Sequence, residues 1–122
     1  MPRPIHFEIP ADDPSRAMAF YEEVFQWSFQ KWDGPQDYWL VTTGADPEPG
    51  INGGLAQRNP AMPQAVNTIG VQALDETLRE VEKQGGRILM PRMAIPGVGW
   101  LAYCQDTEGN AFGVMQADPK AA

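Results

Sequence analysis

Apolar and polar residues alternate near the start of the chain, where Ile5, Phe7 and Ile9 are interleaved with His6 and Glu8. A period of two predicts a half-buried strand, with three apolar side chains on one face and the histidine and glutamate together on the other. The period then lengthens. Asp12 and Asp13 supply a helix N-cap, and Pro14 suits the first helical position, where its missing N–H would be unpaired anyway. Ala17, Phe20, Tyr21 and Val24 form one apolar stripe at helical spacing, which predicts a helix over 14–25. Three strand-like runs follow, at 27–32, 38–43 and 51–57, separated by the turn-forming segments DGPQD and GADPEPG. RNPAMPQ (58–64) carries two prolines and no periodicity, and reads as a connector.

The same order then recurs. A strand is predicted at 66–71, and Leu74, Thr77, Leu78 and Val81 mark a second helix that stops at Gly85-Gly86. Strand-like runs follow at 87–90, 99–104 and 111–116, the last two joined by DTEGN, where Gly109 can take a positive φ. Adding 60 carries His6 to Val66, Asp13 to Ala73, Gln26 to Gly86 and Asp46 to Asp106; Trp39-Leu40 and Trp100-Leu101 correspond at an offset of 61. Identity between the halves is low, so the repeat is architectural: strand, helix and three strands, twice. The expected division is a first module over 1–58, a connector over 59–65, a second module over 66–117 and a tail over 118–122.

Composition narrows the function. The 122 residues amount to one domain with a core of ordinary size. A net charge of -7 and scattered basic residues argue against nucleic acid as a partner, because phosphate backbones require clustered Lys and Arg. No apolar run has the length of a membrane span, and the opening MPRPIHFEIP lacks a signal-peptide core. The single cysteine, Cys104, excludes an internal disulfide and suits a reducing compartment, so a cytoplasmic location is expected.

His6 is the only histidine. With Glu8 two positions away on the same strand face, it forms a candidate acid–base pair, or Glu8 is solvated at the mouth of a hollow. Trp39 and Trp100 occupy corresponding places in the two halves; they either line a binding surface or belong to the sheet–helix core. Cys104 has no basic neighbour in its strand and is expected to be an inert buried thiol. The paired glycines in GINGGL lack the strand–turn–helix context and the following Lys-Ser/Thr of a phosphate-binding loop.

Three segments resemble the vicinal oxygen chelate superfamily, also called the glyoxalase/bleomycin resistance/dioxygenase group. These are HFEIPADDPSRAMAFYEEVFQW, LDETLREVEKQGGRI and IPGVGWLAYCQDTEGNAFGVMQ, which stand in the family's order and with its spacing. The resemblance implies an α+β fold of two βαβββ modules, with curled, mostly antiparallel sheets around a concave site and the helices outside, in a homodimer. It also implies either a divalent metal that chelates vicinal oxygens of a substrate, or a metal-free hollow that binds a small molecule. Ligands in metal-dependent members come from the first and last strands of each module, and these positions fall on His6, Gly54, Val66 and Gly113. Only His6 carries a donor. Asn52, Gln57, Thr68, Gln72 and Gln116 are weak donors for Zn, Ni or Fe(II). The expectation is therefore small-molecule binding around His6, Glu8, Trp39 and Trp100 with no cofactor. The alternative is a lyase, isomerase or dioxygenase with a rearranged metal site at His6 and Glu8. At Gln26 the family commonly has glycine, so Gln26 either adopts a left-handed conformation or the helix exits differently.

Overall fold

A computed structural model describes residues 1–60 and 63–122; part of the expected connector, Ala61 and Met62, lies outside the described residues. The architecture is α+β, and its elements run β1 (Arg3–Ala11), α1 (Pro14–Phe25), β2 (Ser28–Lys31), β3 (Tyr38–Thr42), β4 (Gly53–Gln57), β5 (Val66–Gly70), α2 (Leu74–Lys83), β6 (Arg87–Ile95), β7 (Gly99–Gln105) and β8 (Ala111–Ala117). The βαβββ order thus occurs twice. The chain divides into two compact units, one of residues His6–Val66 and one of Met1–Ile5 with Asn67–Ala122. Among the described residues no helix is long and apolar enough to cross a membrane.

In the first unit the strands lie in the order β2-β3-β4-β1. β2/β3 and β3/β4 are antiparallel, while β1 and β4 run parallel with Phe7 opposite Gly53 and Glu8 opposite Gly54. Ala11, Val41 and Leu55 form the buried centre on the α1 side, with Phe7, Ile9, Ala17, Met18, Trp27, Phe29 and Trp39 packed around them. Asp13 caps α1 by accepting from the Arg16 backbone N–H at 3.2 Å. The helix ends at Gln26, whose φ of 58° and ψ of 31° are left-handed. The helix stripe is rotated from its expected position. Ala17 faces the core, but Phe20 and Val24 are 56% and 49% exposed. Tyr21 stacks flat on Trp27, with ring centroids 4.9 Å apart, and this contact orients the helix in place of the Phe20–Val24 edge.

The second unit repeats the plan with β5-β8-β7-β6. Leu74, Leu78, Ala102, Cys104 and Val114 form its core beneath α2. Ala73 offers no side chain to cap α2, and the Gln116 side-chain oxygen accepts from the Leu74 N–H at 2.8 Å instead. Strand β6 runs on to Ile95, past the expected end at Met90. Pro91 cannot donate to a ladder, and one shift of the β6/β7 register, between Met90 and Met93, spans it, with another just before, between Ile88 and Met90.

Candidate functional site

The first unit gathers one polar cluster on the sheet face opposite α1. Phe7, Ile9 and Ala11 point to the helix side, so alternation turns His6 and Glu8 the other way. On β3 the same rule sends Trp39 and Val41 to the core and Tyr38 and Leu40 to the open face. Gly54 lies between the two strands, paired with Glu8 on β1 and Leu40 on β3. The Tyr38 ring slants across it. A Cβ at residue 54 would lie 1.7 Å from the Tyr38 hydroxyl oxygen and 2.1 Å from Cζ, so only glycine admits the phenol. The hydroxyl meets His6 Nε2 at 2.8 Å, and the charge of Glu8, on the same strand face as His6, acts on the phenol. The Trp32 ring stands nearly perpendicular to Tyr38, at 76°, with centroids 6.0 Å apart.

The 2.8 Å contact between His6 Nε2 and the Tyr38 hydroxyl can run in either direction, because a neutral imidazole nitrogen and a phenol can each donate or accept. Burial lowers the His6 pKa from 6.5, against the opposing pull of the Glu8 charge. Burial also raises the Tyr38 phenol well above its ordinary value, and the charge of Glu8 adds to it. At neutral pH the cluster therefore holds an uncharged imidazole and an intact phenol.

A pH dependence follows. The folded chain binds a proton at His6 more weakly than the unfolded chain does, so His6 contributes fully to stability above 6.5. That contribution falls as pH drops through the window between the unfolded value and the lower folded one. Because His6 is the only histidine, its ring proton resonances can be followed without ambiguity. The expected midpoint lies below 6.5. The stability lost between about pH 6.5 and 5 should shrink in His6→Gln, as read by urea unfolding.

Each tryptophan packs against the core of its own unit. Trp39 packs into the α1-side core, with Lys31 Nζ 5.6 Å from its ring centre. Trp100 packs on the α2-side core, donates from Nε1 to Asp118 at 3.0 Å and lies 4.7 Å beneath the Arg92 guanidinium. Both faces follow from strand alternation once the register is known. Cys104 is fully buried, and burial raises its thiol pKa, as expected for an inert cysteine.

In the second unit the position equivalent to Glu8 carries an uncharged residue. Thr68 stands opposite Gly113 as Glu8 stands opposite Gly54. It is 1% exposed, and no partner reaches its hydroxyl among the described residues. A Cβ at residue 113 would lie 3.0 Å from that hydroxyl and 3.4 Å from the Tyr103 ring.

These side chains do not fit a divalent metal at the positions the family resemblance implies. In the first unit the space above Gly54 that a ligating side chain would need is filled by the Tyr38 phenol, which also engages His6 Nε2. In the second, the corresponding glycine faces a threonine and a tyrosine ring. Among the described residues no three of His, Cys, Asp or Glu come together as such a site requires.

Known proteins place the chain. The sequence profile of the Glyoxalase/Bleomycin resistance protein/Dioxygenase superfamily matches residues 3–114. The putative glyoxylase CFP32 of Mycobacterium bovis is 27% identical over 117 residues, covering 91% of this chain and 44% of its own length. The Mycobacterium tuberculosis protein of that name matches equally, so the chain spans less than half the length of these curated relatives, at 44%. Among solved structures, hypothetical protein BH1468 from Bacillus halodurans C-125 superposes with a TM-score of 0.70 at 14% identity, covering 99% of this chain and 98% of that one. A Streptomyces coelicolor methylmalonyl-CoA epimerase in complex with 2-nitronate-propionyl-CoA gives 0.67 at 14% identity, with 98% and 97% covered. At such identities the likeness shows the fold.

Proposed function

Because this chain belongs to the Glyoxalase/Bleomycin resistance protein/Dioxygenase superfamily, we propose that it is a metal-free member that binds a small organic molecule at the His6–Tyr38–Glu8 cluster. One observation carries this reading: the Tyr38 hydroxyl takes up both the volume above Gly54 and the Nε2 of His6. A histidine whose ring nitrogen is held by a phenol 2.8 Å away is a hydrogen-bonding group. A few fixed polar groups beside the Trp32 ring supply what orients a small ligand. Homodimerisation and a cytoplasmic location are part of the same reading, supported by the superfamily likeness and the single buried cysteine.

The test is a thermal-shift screen of a fragment panel run with and without a chelator. A ligand that binds the folded state raises the melting temperature by mass action. Stabilisation that is unchanged by chelator and lost in Tyr38→Phe is the expected result. Hits that vanish with chelator and return with one equivalent of metal would favour a metal-dependent lyase, isomerase or dioxygenase instead.

A further inference from the structure

We propose that one flank of α1 docks a second copy of this chain, with the two helices antiparallel across a two-fold axis at Phe20. This rests on the homodimerisation included in the reading above and gives it a surface. It is independent of the His6 cluster, which lies on the sheet face opposite α1.

Arg16, Phe20, Glu23 and Val24 stand at i, i+4, i+7 and i+8, so they share one flank of α1. The core is met by another side of the helix, through Ala17 and Met18. All four flank residues are exposed, and Phe20 and Val24 keep 56% and 49% of their surface in water. Covering them is favourable, because apolar area leaves water. Beside Phe20 a cleft of about 410 Å³ is lined by Ile9, Arg16, Ala17, Phe20, Tyr21 and Arg58, which leaves room for an incoming aromatic ring.

The charges select what covers this flank. α1 has no acidic residue in its first turn and no basic residue in its last. Arg16 stands near the start and Glu23 near the end, an order that opposes the helix dipole at both ends. They are separated by roughly 10 Å along the axis, too far to pair with each other. Neither enters an ion pair among the described residues. Asp12 and Asp13, at the same end as Arg16, are already engaged, by Arg58 at 2.8 Å and by the Arg16 backbone N–H.

An order that is wrong for one helix is right for two. In an antiparallel pair centred on Phe20, Arg16 of each copy lies across from Glu23 and Val24 of the other. Each guanidinium then meets a carboxylate and the carbonyl end of the facing helix, and symmetry forms the pair twice. A parallel pair would set Arg16 against Arg16 and Glu23 against Glu23. Two copies at -7 each repel at a distance, so the local match has to hold them. A contact centred on one helix of 12 residues is at the small end of the interface range, and roughly micromolar association is expected.

Sedimentation equilibrium at about 0.15 M salt, which screens the long-range repulsion, reads this association. The wild-type chain is expected to show a monomer–dimer equilibrium. Arg16→Glu and Glu23→Arg should each weaken self-association about tenfold or more, because two attractive contacts become two like-charge contacts. An equimolar mixture of the two variants should regain the wild-type affinity, since every contact again joins opposite charges. Both exchanges suit the dipole of α1 better than the native residues do, so the helix should remain folded, as circular dichroism checks. If either variant fails to fold, Phe20→Ser decides in its place, with a loss of similar size expected. A dimer that none of these substitutions weakens overturns this surface and leaves homodimerisation standing. Weakening in both charge variants without recovery in the mixture overturns the antiparallel pairing. A wild-type chain that stays monomeric at roughly millimolar concentration overturns the surface and homodimerisation together, and the small-molecule screen is unaffected by either result.

Discussion

Gly54→Ala should lose about 2–3 kcal/mol of stability, or roughly 10 °C in melting temperature, although it adds only a methyl group. The new Cβ would stand 1.7 Å from the Tyr38 hydroxyl and 2.8 Å from ring carbon Cε1. A rigid ring held by His6 and packed against Trp32 cannot shift by a few tenths of an ångström to make room. It must swing out and break its hydrogen bond to His6. The His6 resonances should therefore move together with the loss of stability. The clash involves only a side chain, so removing that side chain should relieve it. In a double-mutant cycle with Tyr38→Ala, the two losses should fall short of additive by about 1–2 kcal/mol. Additive losses would mean that the ring is not held above the glycine.

Gly53→Ala, one residue earlier, should cost at least as much, about 3 kcal/mol or more, with no side-chain rescue. Residue 53 faces the α1 side, and its Cβ would stand 2.5 Å from the Phe7 carbonyl oxygen and 2.6 Å from two atoms of the Phe7 ring. Phe7→Ala removes the ring and leaves the carbonyl, so the strands must still part where Phe7 pairs with Gly53. Denaturant unfolding of Gly53→Ala, alone and with Phe7→Ala, reads the difference. Recovery of stability in the double variant would show that the ring, and not the backbone, limits residue 53.

The two neighbouring glycines thus have different tasks, one for the fold and one for the site. The pair was visible in GINGGL, but its meaning depends on cross-strand register, which periodicity does not encode. The same gap explains the rest of what was legible. His6 and Glu8 share a face because they are two apart on one strand, and this needs no register. The two helices were readable from caps, Pro14 and Gly85-Gly86, because those signals are local. Tyr38 lies 32 residues from His6, and nothing near it in sequence points to a hydrogen bond between them. The tryptophans illustrate the limit from the other side. Alternation says that Tyr38 and Trp39 face opposite ways, but only the packing of Ala17 and Met18 against β3 and β4 says which one faces the core. The rotation of α1 was hidden for a similar reason. Phe20 and Val24 complete a plausible stripe, and the flat stack of Tyr21 on Trp27 is a tertiary contact that the stripe does not contain.

The central claim is that His6 serves a phenol and not a metal. Cobalt(II) titration of chelator-treated, untagged protein tests it most directly, because the only histidine reports on its own surroundings. The account predicts no stoichiometric cobalt and His6 ring resonances that stay at their diamagnetic positions. One equivalent of bound cobalt, with those resonances shifted by the paramagnetic ion and the effect lost in His6→Ala, would contradict it.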